Sequence, residues 1–161
     1  MDDAITLNYT IPALYACYCS YTNTDERTDT LRAELKDKQW NFLDLTNKKD
    51  EFEEDLQSII ERVVLISQGN VIILAFMGTV FTSLRDLIAD LKLCFDTDPV
   101  MYVQAQKLVT ALYSKRYLLP ECNVIYTGHS LGASIAENLM LKRTPSCNEY
   151  AITFDSPSVP I

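Results

Sequence analysis

The chain has 161 residues, of which 48% are hydrophobic and 22% charged, and its formal net charge is −8. The composition is typical of one globular domain, and an acidic chain repels the phosphates of nucleic acids. The longest strongly apolar run, at 71–80, has ten residues, whereas a membrane-spanning helix needs ~20. We therefore expect a single domain over residues 1–161, with no transmembrane segment and no nucleic-acid partner.

Histidine and cysteine content restricts metal and redox chemistry. The single histidine, His129, cannot form a multi-histidine metal site, and no two cysteines have the C-x-x-C spacing of a zinc or redox site. The N-terminus is acidic where a secretory signal is basic. We therefore expect free thiols, no metal or other cofactor, and a cytoplasmic location. The cysteines are Cys17, Cys19, Cys94, Cys122 and Cys147.

The first half of the chain yields two predicted helices. Residues 1–30 show no clear periodicity, whereas Leu31 and Leu35 are four apart and predict a short helix over 31–40. Between residues 50 and 66, apolar residues recur on one helical face, and acidic residues fill the first turns. This pattern predicts an amphipathic helix. The apolar positions are Phe52, Leu56, Ile59, Ile60 and Val63.

The second half alternates between strands and helices. After the turn signal Gln68-Gly69-Asn70, residues 71–76 are apolar on both faces, as in a strand buried in a parallel sheet. The alternation that follows predicts an α/β fold with a mainly parallel sheet and flanking helices. The later predicted strands are 123–127 and 150–154, and the predicted helices are 84–93, 101–112 and 131–143.

One motif carries candidate chemistry. The sequence Gly128-His129-Ser130-Leu131-Gly132 is G-x-S-x-G, and it lies directly between a predicted strand and a predicted helix. This is the position of a nucleophile elbow, in which a strained turn exposes the serine hydroxyl and the next backbone N–H faces the developing oxyanion. Ser130 is thus the candidate nucleophile and Leu131 a candidate oxyanion donor. The structural alternative is that Ser130 caps the following helix.

His129 has a separate interpretation. It adjoins Ser130 inside the elbow, so its ring is expected to point away from the serine hydroxyl. We therefore interpret His129 as a packed structural residue of the elbow and not as the catalytic base.

The wider sequence resembles the class 3 lipases, the fungal-lipase-type α/β-hydrolases. The similarity covers VIILAFMGTVFTSLRDLIADL at 71–91, TGHSLGA at 127–133 and AITFDSP at 151–157. It implies an α/β-hydrolase-like fold and hydrolysis of ester bonds in lipids or other esters through an acyl-enzyme on Ser130. It also implies an oxyanion hole formed by Thr79 and Leu131, and no cofactor.

The end of the chain departs from that pattern. In α/β-hydrolases an acidic residue and a histidine follow the serine, but no histidine follows Ser130. Three explanations for the missing histidine remain. The chain is the N-terminal part of a longer hydrolase, it is a degenerate relative that binds without catalysis, or another chain supplies the missing residues. We expect a domain that is incomplete at its C-terminus and inactive alone. The functional alternatives are a lipase or carboxylesterase and a non-catalytic hydrolase-like binding module.

Overall fold

A mixed sheet forms the centre of the molecule. A computed structural model describes residues 3–19, 26–78, 100–142 and 148–154. Within them, five strands form one sheet in the order β1-β2-β3-β4-β5. The pairs β1–β2 and β2–β3 are antiparallel, and β3–β4 and β4–β5 are parallel. The strands are β1 (Asn41–Leu43), β2 (Val63–Gln68), β3 (Val71–Phe76), β4 (Asn123–His129) and β5 (Glu149–Phe154).

The expected parallel arrangement holds for only part of this sheet. The strands predicted at 71–76, 123–127 and 150–154 are present as β3, β4 and β5, and they run parallel. A mainly parallel sheet is not what forms, because β2 joins β3 through a two-residue hairpin and β1 pairs antiparallel with β2. Gly69 occupies the first hairpin position with φ +57°, a conformation that suits glycine.

The helix predicted over 50–66 is wrong. The segment instead begins at the end of a 3₁₀ helix (Leu45–Glu51) and continues through a second one (Glu54–Leu56) and one turn of α-helix (α3, Gln57–Ile60) into β2. Of the apolar residues at helical spacing, all but the half-buried Val63 are buried. Val63–Gln68, however, pairs with strands on both sides. β-Branched residues favour this pleated environment. Long-range pairing, which local periodicity does not report, decides the structure here.

The remaining helices lie on both faces of the sheet. The helix predicted at 31–40 begins and ends earlier, as α2 (Glu26–Asp37). The helices predicted at 101–112 and 131–143 are present as α4 and α5, while the one at 84–93 falls outside the described residues. No helix in the described ranges is long and apolar enough to cross a membrane. The helices are α1 (Asp3–Cys19), α2 (Glu26–Asp37), α4 (Val100–Ser114) and α5 (Leu131–Lys142).

Two apolar cores flank the sheet. Alternate residues of each strand point to opposite faces, so Leu74 and Tyr126 pack with α4 and α5, whereas Ile73 and Ile125 pack with α1 and α2. Every residue of β3 is buried, as expected for a strand covered on both sides. The described part of the chain is therefore an α/β protein with helices on both faces of a mixed sheet.

A buried carboxylate lies between the helix and strand layers. Glu149, at the start of β5, is only 6% exposed. Its Oε1 accepts hydrogen bonds from the Tyr113 hydroxyl at 2.9 Å and from the Tyr126 hydroxyl at 2.8 Å. Bonds of this kind offset the cost of burying a charge. The cluster joins α4 to β4 and β5 at the end of the sheet away from the G-x-S-x-G motif.

Candidate active site

Ser130 occupies a sharp turn from strand to helix. β4 ends at His129 and α5 begins at Leu131, so Ser130 is the single residue between them. Its φ is +57°, which is uncommon for a residue with a side chain and costs about 1–2 kcal/mol. The strained position of Ser130 predicted from the motif is therefore confirmed. The residue is only 6% exposed, so the exposed hydroxyl expected from the motif is not what the described structure shows.

The glycines of the motif allow two close backbone approaches. A Cβ on Gly128 would overlap the carbonyl group of Gly132 and lie 2.6 Å from the Ala133 nitrogen. A Cβ on Gly132 would overlap the Phe76 carbonyl oxygen and lie 3.2 Å from the Gly78 nitrogen. Because backbone atoms cannot move aside as a flexible side chain can, both positions require glycine. The start of α5 consequently packs directly on the ends of β3 and β4.

Backbone hydrogen bonds hold the turn from both sides. The Ser130 N–H donates to the Phe154 carbonyl at the end of β5, at 3.1 Å. The Ser130 carbonyl accepts from the N–H groups of Ala133 and Ser134 at 3.0 and 3.2 Å. The Ser130 hydroxyl makes no hydrogen bond to any part of the chain that the structure describes. An N-cap side chain would accept from the first turn of the helix, so the capping interpretation gains no support.

Of the two oxyanion-hole residues expected from the resemblance, the structure describes Leu131. Leu131 is the first residue of α5, and N–H groups in a helix's first turn have no partner within the helix. They also lie at the positive end of the helix dipole. Thr79 lies outside the described residues. The preceding residue, Gly78, lies beside Gly132, so the chain leaves β3 next to the elbow.

His129 lies on the other side of the strand from α5. It is the last residue of β4, is half-buried, and pairs with Phe154 of β5. Strand alternation places it on the same face as Thr127, which contacts α1 through Cys17. Gly128 lies on the opposite face, against α5. The register thus separates the His129 side chain from the helix that follows Ser130.

Two side-chain contacts link the strands beside the elbow to α1 and α5, and the motif does not predict either of them. Thr127 is fully buried, and its Oγ1 lies 3.2 Å from Cys17 Sγ. On the other face, the Thr153 hydroxyl donates to Glu137 Oε1 at 3.0 Å, which joins β5 to α5. Thr153 pairs with Gly128 in the β4–β5 register. Because these partners are far apart in the sequence, only the predicted strand order could have indicated them.

Burial raises the pKa of the Cys17 thiol, which contacts Thr127 beside the elbow. Desolvation raises the pKa of Cys17 to about 12, and the hydrogen bond with Thr127 opposes that rise only in part. Burial also raises the pKa of Cys19, and the positive charge of Arg32 opposes this rise only in part. Thiolate is the nucleophilic form of cysteine, so Cys17 is a packed, unreactive group near neutral pH. Ser130 remains the candidate nucleophile of this region.

Metal-binding side chains are not clustered in the described part of the chain. Over residues 3–19, 26–78, 100–142 and 148–154, no group of three or more His, Cys, Asp or Glu side chains could hold a metal ion. Comparison of the chain with protein-family models, curated proteins and solved structures found no match. The geometry around Ser130 and the sequence motif are therefore the features that indicate a function.

Proposed function

We propose that the protein is a serine hydrolase of the lipase or carboxylesterase class that cleaves ester bonds of lipids or other esters. The left-handed backbone of Ser130 between β4 and α5 is the observation that carries this proposal. The two glycines that admit the close contacts support it, because a nucleophile elbow is a tight strand-to-helix turn that requires such close approaches. The resemblance to class 3 lipases suggests the substrate class.

The chemistry assigns one step to each group. Ser130 Oγ attacks the ester carbonyl carbon as its proton passes to a general base. The Leu131 N–H and Thr79 donate hydrogen bonds to the oxyanion. Collapse of the tetrahedral intermediate releases the alcohol, which takes up the proton, and leaves an acyl-enzyme. Water then attacks the acyl carbon and releases the acid, and no cofactor takes part.

The general base is the missing element of this scheme. His129 is the only histidine among the 161 residues, and β4 directs it to the face away from α5. A serine hydroxyl is a weak nucleophile without an adjacent base. We therefore assign the base to a group outside residues 1–161, in a further segment or a partner chain. The same observation favours the second candidate function, a hydrolase-like module that binds without catalysis.

An ester assay tests the proposal. We expect the protein isolated from cells that make it to hydrolyse a short-chain nitrophenyl ester, and Ser130→Ala to abolish the activity. Residues 1–161 alone should show negligible turnover, because loss of a triad member costs several orders of magnitude in rate. The matched control is Ser134→Ala, four residues along α5. Equal turnover by the cell-made protein and its Ser130→Ala variant would reject the hydrolase in favour of the binding module.

A further inference from the structure

A groove lies at the end of the sheet opposite Ser130. Its volume is about 720 Å³, within the ~300–1,000 Å³ of typical ligand sites. We call it the β1 groove, because β1, the end of α2 and the β2–β3 hairpin line it. The β2–β3 hairpin lies at the start of β3. The elbow lies at the opposite end of the sheet, because it follows the end of β4, which runs parallel to β3. The lining includes Lys36, Gln39, Trp40, Asn41, Phe42 and Gln68.

The β1 groove is locally positive in an acidic protein. No lining residue is an Asp or Glu. Arg32 and Lys36, four apart on α2, lie over the Phe42 ring, with the Arg32 guanidinium carbon 5.2 Å and Lys36 Nζ 5.9 Å from its centroid. In the described part of the chain, the ion pairs involve other lysines, so neither cation has a carboxylate partner. Lys36 is therefore available to a carboxylate of a ligand. Arg32 donates from Nη2 to the Cys19 carbonyl at 3.3 Å, and its guanidinium has further N–H donors for the same carboxylate.

The backbone and amide groups of the β1 groove suit an extended peptide. Within the described residues β1 pairs with β2 alone, so its other edge carries backbone groups that a further strand can bond. The side chains of Gln39 and Asn41 make no hydrogen bond to the described chain. An amide side chain offers both donors and an acceptor, which match the groups of a peptide backbone. Small anions would use the cations but leave this edge unused.

We propose that the β1 groove binds an extended peptide segment with one acidic side chain. The peptide backbone adds to the free edge of β1. The carboxylate binds between Lys36 and Arg32, beside the Phe42 ring. This site is independent of Ser130, and it would make the protein an interaction partner of another chain whether or not it is a hydrolase.

The single tryptophan gives a direct measurement. Trp40 is the only tryptophan of the chain and lines the β1 groove, so its emission reports on this site in the intact protein. The probe is acetyl-Thr-Val-Thr-Glu-Val-Thr-Val-amide, which contains no tryptophan. We expect a saturable change in Trp40 emission with a sub-millimolar Kd. The same peptide with Lys in place of Glu should bind at least about tenfold more weakly.

Two controls separate the contributions. Lys36→Glu should raise the Kd about tenfold, whereas Lys142→Glu should leave it unchanged. The two variants are matched, because each lysine lies in the last turn of a 12-residue helix. A probe with N-methyl groups on alternate backbone nitrogens should also lose binding, since it cannot form the strand hydrogen bonds. This arm changes the peptide and leaves the protein's folding untouched.

Several results would overturn the proposal. Trp40 emission that does not respond to millimolar peptide would show that the groove is not a peptide site. Equal affinity for the Glu and Lys peptides, or no effect of Lys36→Glu, would remove the role of the cations. Binding of the N-methylated peptide with unchanged Kd would exclude strand addition. An equal response to sodium acetate at the same concentration would identify a small-anion site instead.

Discussion

Ser130 combines a strained backbone with a hydroxyl that bonds to no described part of the chain. Its positive φ is an unfavourable conformation that the Phe154 carbonyl and the first turn of α5 maintain. Strain of this kind persists where surrounding structure determines the backbone, often at functional sites. The helix-cap alternative does not explain why the serine is held in this conformation.

Replacing Ser130 by glycine tests the strain directly. Glycine adopts positive φ without a steric penalty, so Ser130→Gly should be more stable than Ser130→Ala by about 1 kcal/mol. Urea unfolding of the two variants gives the difference in free energy of unfolding. Alanine is the matched control because it also removes the hydroxyl but keeps the Cβ. Equal stability of the two variants would show that the backbone at this position is not strained.

Cys17 predicts a pH dependence of stability. A solvent-exposed cysteine thiol ionises near pH 9.0, whereas burial raises the pKa of Cys17 to about 12 in the folded protein. Between these values the unfolded state binds fewer protons than the folded state, so stability falls as the pH rises. The stability advantage of the parent chain over Cys17→Ala should shrink by about 1.4 kcal/mol per pH unit above pH 9.

The measurement is urea unfolding of the parent chain and Cys17→Ala, at about pH 8 and about pH 10.5. Tyrosines and lysines titrate in both proteins, so only the difference between the two isolates the thiol. A difference in free energy of unfolding that stays constant over this range would mean that Cys17 is not desolvated in the folded protein.

At the scale of elements, the sequence predicted some parts of the fold well and one part wrongly. β3, β4, β5, α4 and α5 follow from local patterns, because each buries residues at the period of its own element. Segment 50–66 also shows a helical period at Phe52, Leu56 and Ile59. It forms short helical turns and β2 because pairing with β1 and β3 outweighs that period. Such pairing depends on distant residues.

The sequence likewise predicted only part of the candidate site. The motif predicted the strand, turn and helix around Ser130 and the close contacts of the two glycines, because these features follow one another in the chain. The sequence did not predict the contacts Cys17–Thr127 and Glu137–Thr153. They join residues that only the folded sheet brings together, and neither pair forms a recognised motif. Thr79 rests on the resemblance alone and lies outside the described residues.

The contact between α5 and β3 gives a prediction at this scale. Gly132→Ala places a Cβ on the Phe76 carbonyl oxygen, so the helix and strand must separate. We expect a loss of about 3 kcal/mol or more in the free energy of unfolding. Gly69→Ala is the matched control, because it meets no atom within 4 Å and incurs only the cost of its positive φ, about 1–2 kcal/mol. Equal losses in the two variants would contradict the close packing at the elbow.

At the scale of the whole molecule, the parallel strands determine where chemistry can occur. β3, β4 and β5 end at the same edge of the sheet, and the register brings Phe76, Gly128 and Thr153 side by side. In open α/β sheets, ligands bind outside the carboxyl ends of such strands. Ser130 lies at that edge, while the β1 groove lies at the other. The two sites can therefore be tested separately.

The most direct test of the central claim is covalent labelling of Ser130. A fluorophosphonate reacts with a serine only when a base and an oxyanion hole activate it. The protein isolated from the cells that make it is incubated with the probe, digested and analysed by mass spectrometry. We predict an adduct on the peptide that contains Ser130, and none in the Ser130→Ala variant. An unmodified Ser130 in the correctly folded, cell-made protein would contradict the assignment of Ser130 as an activated nucleophile.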